Sequence, residues 1–131
     1  MMKSDESRFS SIEQGQAGEM LAGRYLSKQG YKILEKNWKI RGGEIDLIVQ
    51  KKEVITFVEV KLRRSSSYGS GMDAIHPAKQ KKMVRAALFY LQKKSLENRE
   101  IRFAALSIHE SQNESSIEFI EFPLDLRTRY Y

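Results

Sequence analysis

Apolar side chains recur at helical spacing in two stretches of this chain and at strand spacing in five others. Ile12, Ala17, Met20, Leu21, Tyr25 and Leu26 fall at helical intervals, Ser10 to Glu13 reads as a capping box, and Gly30 is a stop signal. A first helix is therefore predicted over about residues 11–29. Tyr31 to Trp38 reads as a short strand, followed by a turn at Arg41-Gly42-Gly43. Glu44 to Val49 is mostly β-branched and apolar, with a turn at Lys51-Lys52-Glu53, and Val54 to Leu62 carries the strongest strand signal of the chain. Short connections predict an antiparallel meander for these three strands.

Ser65 to Gly71 has the composition of a loop. Pro77 opens a second helix of about 18 residues, with Met83, Ala86, Ala87, Tyr90 and Leu91 facing inward and lysine and arginine on its other face. Ile101 to Ile108 is a fourth strand; reached through a helix, it is predicted parallel to the third. Ser116 to Phe122 is an edge strand closed by Pro123. The fold class is α/β, an α+β mixed sheet covered by helices in the order α-β-β-β-α-β-β. A single domain over residues 11–123 is expected, between a flexible segment 1–10 and a tail 124–131.

Composition narrows the chemistry. The 131 residues contain no cysteine, which removes disulfides, thiolate metal sites and thiol nucleophiles. His76 and His109 are the only histidines, and nothing in the sequence places them together. The polar stretch Met1 to Ser11 lacks the apolar run of a signal peptide, and Ala86 to Leu91 is too short to span a bilayer, so a soluble cytoplasmic protein is expected. The formal charge of +6 is unevenly spread. Residues 61–94 hold nine basic side chains against one acid, Asp73, a net of +8 that leaves −2 for the remainder. Such a segment suits a polyanion, with nucleic acid first and an anionic membrane surface second, and it equally fits solvated helix faces.

Several motifs fail on context. Gly69 to Ala74 fits G-x-G-x-x-A, but a serine-rich loop separates it from the preceding strand and no acid follows at the required distance. Asn113-Glu114-Ser115 is a glycosylation sequon without a secretory route. No glycine is followed by lysine, so there is no P-loop. His76, just before Pro77, reads as a helix-entry residue.

The informative feature is a set of acids within apolar strands. Glu59 and Lys61 alternate with Val58, Val60 and Leu62, and Glu44 and Asp46 alternate with Ile45 and Leu47, which predicts one shared face for each polar pair. Adjacent strands can bring Asp46 and Glu59 together, and a hard divalent cation resolves the repulsion of two such carboxylates. Lys61 would then orient water and offset phosphate charge. Cross-strand salt bridges on a solvated face are the structural alternative. Glu19, on the first helix, either leans toward the same site or is an ordinary surface acid.

Asp46 followed by Glu59-Val60-Lys61 resembles the D…E-x-K signature of the restriction-endonuclease-like nucleases, and the element order is similar to their core. The chain more closely resembles the YraN-like family of small bacterial proteins, itself similar to archaeal Holliday-junction resolvases. The matching segments include Gly15 to Glu19, Gly30 to Leu34 with Asn37, Gly43 to Ile48, Phe57 to Lys61, Lys79-Gln80, Ala86 to Leu91 and Arg102-Phe103. The resemblance implies that Glu19, Asp46 and Glu59 hold a metal, that Asp46, Glu59 and Lys61 are catalytic, and that Lys79 meets a phosphate. It leaves Glu44 without a defined role. Ala104 departs from the Arg-Phe-Asp the family would lead one to expect, at a position outside the metal set.

These readings converge on a Mg2+- or Mn2+-dependent DNA endonuclease acting on branched or structured duplex, with Arg63, Arg64, Lys79, Lys82 and Arg85 on the backbone. A catalytically silent DNA-binding accessory protein and a protein-interaction module are the rivals. A homodimer would suit two symmetric cuts in a junction.

Overall fold

The computed structural model describes residues 11–63, 76–110 and 114–124 and, for residues 11–16, the backbone alone. The elements are α1 (Ser11–Lys28), β1 (Lys32–Ile40), β2 (Gly43–Lys51), β3 (Val54–Arg63), α2 (Pro77–Lys93), β4 (Ile101–Glu110) and β5 (Ser115–Phe122). They form one five-stranded sheet in the order β1-β2-β3-β4-β5, antiparallel except for the β3–β4 pair. Element types, chain order and the parallel pair agree with the sequence reading, and the architecture is consistent with a restriction-endonuclease-like core. The Ser10–Glu13 box, the Gly69–Ala74 match and Arg64 lie outside the residues whose side chains are described. Among the described residues no helix is long and apolar enough to cross a membrane.

Two cores lie on opposite faces of the sheet. On one, the α2 stripe of Met83, Val84, Ala86, Ala87, Tyr90 and Leu91 packs on Ile45, Ile48, Ile55, Phe57, Phe103, Ala105 and Phe122. On the other, Ala22 and Leu26 of α1 cover Leu47, Val49, Val58, Leu106 and Ile108. Central strands covered on both sides must be apolar on both, which is why β3 reads as a nearly unbroken apolar run. Each large side chain so buried contributes about 1.5–3 kcal/mol.

The seat of α1 differs from its apolar pattern. Met20 and Leu21 are exposed, and the helix approaches through Gly18, Ala22 and Leu26, one turn apart. A Cβ on Gly18 would stand 3.5 Å from Leu62 Cβ and 3.7 Å from Val60 Cγ1, so small residues let the helix lie close to β3. A stripe chosen for hydrophobicity misses this, because close approach selects for size.

At the other helix, His76 is the N-cap of α2: its Nδ1 accepts from the Ala78 N–H at 3.0 Å, ahead of Pro77. The β1–β2 turn presses onto α2. Trp38 Nε1 donates to the Ala86 carbonyl at 3.3 Å, and a Cβ on Gly43 would sit 2.6 Å from the Lys82 carbonyl oxygen and 3.3 Å from Ala86 Cβ.

This packing predicts opposite signs for two Gly→Ala changes. Gly43→Ala should lower unfolding free energy by about 1–3 kcal/mol, because the backbone oxygen cannot yield cheaply. Gly23→Ala, where a Cβ meets nothing within 4 Å in the middle of α1, should raise it by about 0.5–1 kcal/mol. Urea denaturation of the two variants checks both.

Candidate functional site

The site forms where the sheet changes face. Lys36 of β1 and its partner Leu47 of β2 lie on the α1 side, while Trp38 and its partner Ile45 lie on the α2 side. Both strands therefore turn over together, at Asn37 and Asp46. Asn37 takes a φ of 53°, a left-handed conformation that asparagine tolerates better than most residues. The strict alternation expected for Glu44 to Leu47 is thus broken at Asp46, and Ile45 and Leu47 go to opposite cores.

At the same point β2 leaves β3. Their pairing runs from Lys51↔Val54 to Leu47↔Val58 and goes no further. The Val60 N–H instead donates to Asp46 Oδ2 at 2.8 Å, so a side-chain carboxylate takes the place of a ladder carbonyl. Beside it stands Glu59, only 4% exposed and within hydrogen-bonding reach of Asp46. Burial, and then the negative charge of Glu59, push the Asp46 carboxyl up to about 7; the Val60 N–H and Lys79 oppose them.

Two ammonium groups flank Glu59. Lys61 Nζ lies 3.3 Å from Oε2, as expected for residues i and i+2 on one strand face, and Lys79 Nζ lies 3.3 Å from Oε1. Lys79 also stands 3.9 Å from Glu44 Oε2, at the limit of an ion pair. Even so, Glu59 Oε1 is fully buried and accepts no hydrogen bond. Its charge is met by the Lys79 ammonium alone, without an aligned hydrogen bond, a costly state for a buried carboxylate oxygen.

Asp46, Glu59, Lys61 and Lys79 are thus brought together. Glu19 is not: its helix turn packs on Val60 and Leu62, the face of β3 opposite Glu59 and Lys61. Among the described residues no three acidic, histidine or cysteine side chains form a metal-holding set. Arg63 ends β3 opposite His109, with its Nε buried and unpartnered. Lys82 and Arg85 are exposed on α2, where the Arg85 guanidinium lies over Gly42. Ala104 is fully buried beside Val58 on the α1 side. The spacing of the sequence did not reveal Lys79 as a partner of Glu59, since they lie on different elements.

Comparison with known proteins adds the family. Residues 18–108 match the family described as "Uncharacterised protein family UPF0102". A UPF0102 protein of Syntrophus aciditrophicus is 40% identical over 116 residues, covering 88% of this chain and 91% of that one. The chain belongs to the UPF0102 family. This UPF0102 chain is also 44% identical over 108 residues to one from Syntrophomonas wolfei (82% of this chain, 94% of the other) and 43% over 105 residues to one from Vibrio campbellii (79% and 86%). The match spans Glu19, Asp46, Glu59, Lys61 and Lys79 alike.

The Asp46 environment sets a pH dependence. With a folded-state value of about 7 against an ordinary 3.8, the folded protein retains a proton that the unfolded chain has released between those values. Stability in EDTA should therefore fall as pH rises from about 4 to 7 and level off above. Asp46→Asn keeps an acceptor for Val60 and removes the charge, so it should raise the melting temperature at pH 8 by several degrees and flatten the profile. Thermal denaturation from pH 4 to 9 measures both.

Proposed function

We propose that this UPF0102 protein is a Mg2+- or Mn2+-dependent endonuclease that hydrolyses phosphodiester bonds in DNA, with branched or structured duplex as its substrate class. The observation that carries this reading is the buried Asp46–Glu59 pair with Lys61 on the same strand face. Two carboxylates held against their own repulsion, one with a buried oxygen that accepts no hydrogen bond, suit a hard cation that takes one or two carboxylates and completes its shell from phosphate and water. Asp46 and Glu59 would hold it. Glu19 is a proposed ligand by resemblance, not by contact. A bound cation supplies Lewis-acid polarisation of the scissile phosphate and an acidified water.

The chain's own residues do the rest. The ammonium of Lys61 orients the attacking water and offsets the charge that builds on the phosphate as the new P–O bond forms and the ester bond breaks. The Val60 N–H fixes the Asp46 carboxylate, and so fixes the distance between the acids. Lys79, Lys82, Arg85, Arg63 and Arg64 hold the backbone, contacts that position a strand without reading its sequence. A dimer would present two such sites to the two strands of a junction.

A DNA-binding protein without turnover is the second reading. It is favoured by the two lysines at 3.3 Å from Glu59, which already neutralise that carboxylate.

Cleavage of end-labelled linear, flapped and four-way-junction DNA with Mg2+ or Mn2+ decides between them. Wild type should cut, and Asp46→Ala and Lys61→Ala should each reduce the rate by at least about a hundredfold while DNA affinity changes little. DNA binding by all three proteins with no cutting by any would establish the accessory reading.

A further inference from the structure

Beside the carboxylate pair, the β1–β2 turn and the first turns of α2 enclose an open cavity of about 370 Å3, lined by Lys39, Ile40, Gly42, Gly43, Glu44, Lys79 and Lys82. Two glycines make it. Gly43 brings the turn within contact of the Lys82 backbone, and Gly42, at a φ of +85°, leaves room for the Arg85 guanidinium: a Cβ there would stand 2.7 Å from Nη1. Lys39, Lys79 and Lys82 line the cavity together with a single carboxylate residue, Glu44, and the Arg85 guanidinium lies over Gly42. Lys39, Lys82 and Arg85 have no ion-pair partner among the described residues. Lys79 belongs to both places, at 3.9 Å from Glu44 and 3.3 Å from Glu59.

Cationic residues that outnumber the acids around one groove repel one another, and an anion relieves them. The anion must be extended enough to lie in an open groove and still reach Lys79 at the carboxylate pair. A sugar-phosphate backbone has that form, with one charge per nucleotide along the strand.

We infer that the groove between the Lys39–Gly43 turn and α2 is a phosphate-binding track for one nucleic-acid strand, in which Lys39 and Lys82 contact phosphates next to the one delivered to Asp46 and Glu59. This assignment rests on the nuclease reading for its direction, since the scissile phosphate marks where the track ends. It adds Lys39 and the β1–β2 turn to the nucleic-acid interface, and it makes Lys79 the junction between holding the strand and balancing Glu59.

Fluorescence anisotropy with a labelled DNA duplex in EDTA, over a range of salt, tests the track without requiring turnover. The Lys39→Ala/Lys82→Ala protein should bind with a log K–log salt slope smaller in magnitude by about two, one per lost phosphate contact. The control is Lys32→Ala/Lys52→Ala, which removes the same charge from exposed positions at the opposite end of β2. Its slope should stay at the wild-type value. Circular dichroism establishes that both variants fold, and Lys82→Gln alone should lose about one unit of slope if the double variant does not.

An unchanged slope in the groove variant overturns the assignment, and so does an equal loss in the control, which would mean diffuse charge attraction. Displacement of the duplex by inorganic phosphate at equal phosphate concentration would make the cavity a small-anion site and overturn the strand assignment. Failure of the nuclease reading shows itself separately: a wild type that binds with the groove-dependent slope yet never cuts DNA with Mg2+ or Mn2+ keeps the track and loses the enzyme.

Discussion

The structure turns on the exchange of a ladder carbonyl for the side chain of Asp46. Antiparallel strands that continue in register pair their own backbone groups and hold facing side chains at a fixed, close spacing. Here the β2–β3 ladder stops at Leu47 and Val58, and the next donor, the Val60 N–H, is satisfied by a carboxylate. A buried N–H left open would cost about 1–3 kcal/mol. Asp46 meets that need, and in doing so is fixed beside Glu59 on the face covered by α2. The turnover of β1 and β2 at Asn37 and Asp46 is the backbone side of the same event.

Much of the fold was legible because its signals are local. Two-residue turns, a proline at the start of α2 and a β-branched run in β3 each act within a few residues, and the helix between β3 and β4 dictates their parallel pairing. The Glu59–Lys61 pair was legible for the same reason, since period two puts both on one face. The face change was not: Glu44-Ile45-Asp46-Leu47 is indistinguishable from a regular alternating strand, and only the left-handed Asn37 across from it betrays the break. The phosphate contact of Lys79 comes from the family resemblance, at a basic position of the second helix. The approach of Lys79 to Glu59 depends on how α2 is docked, which rests on Gly43, Trp38 and the Ala86 carbonyl together.

Charge and packing divide the two helices between different tasks. α1 approaches through Gly18 and Ala22 and closes the apolar layer on the sheet face opposite Glu59. α2 buries six residues in the other layer and keeps its cations outward, above the end of the sheet where Asp46 and Glu59 lie. The described cations of α2 thereby stand beside a buried pair of acids.

The docking of α2 carries a consequence for how this site comes into being. Asp46 and Glu59 are joined by a tight hairpin, so chain connectivity alone brings the two like charges into proximity, and Lys61 comes with them on the same strand. Lys79 arrives only when α2 docks on the β1–β2 turn through Gly43 and Trp38, a closure over a longer stretch of chain than the hairpin. The acids are thus a local property of the polypeptide, whereas their full neutralisation is a global one. A chain whose second helix has not docked holds its carboxylate pair with Lys61 as the one local counter-charge.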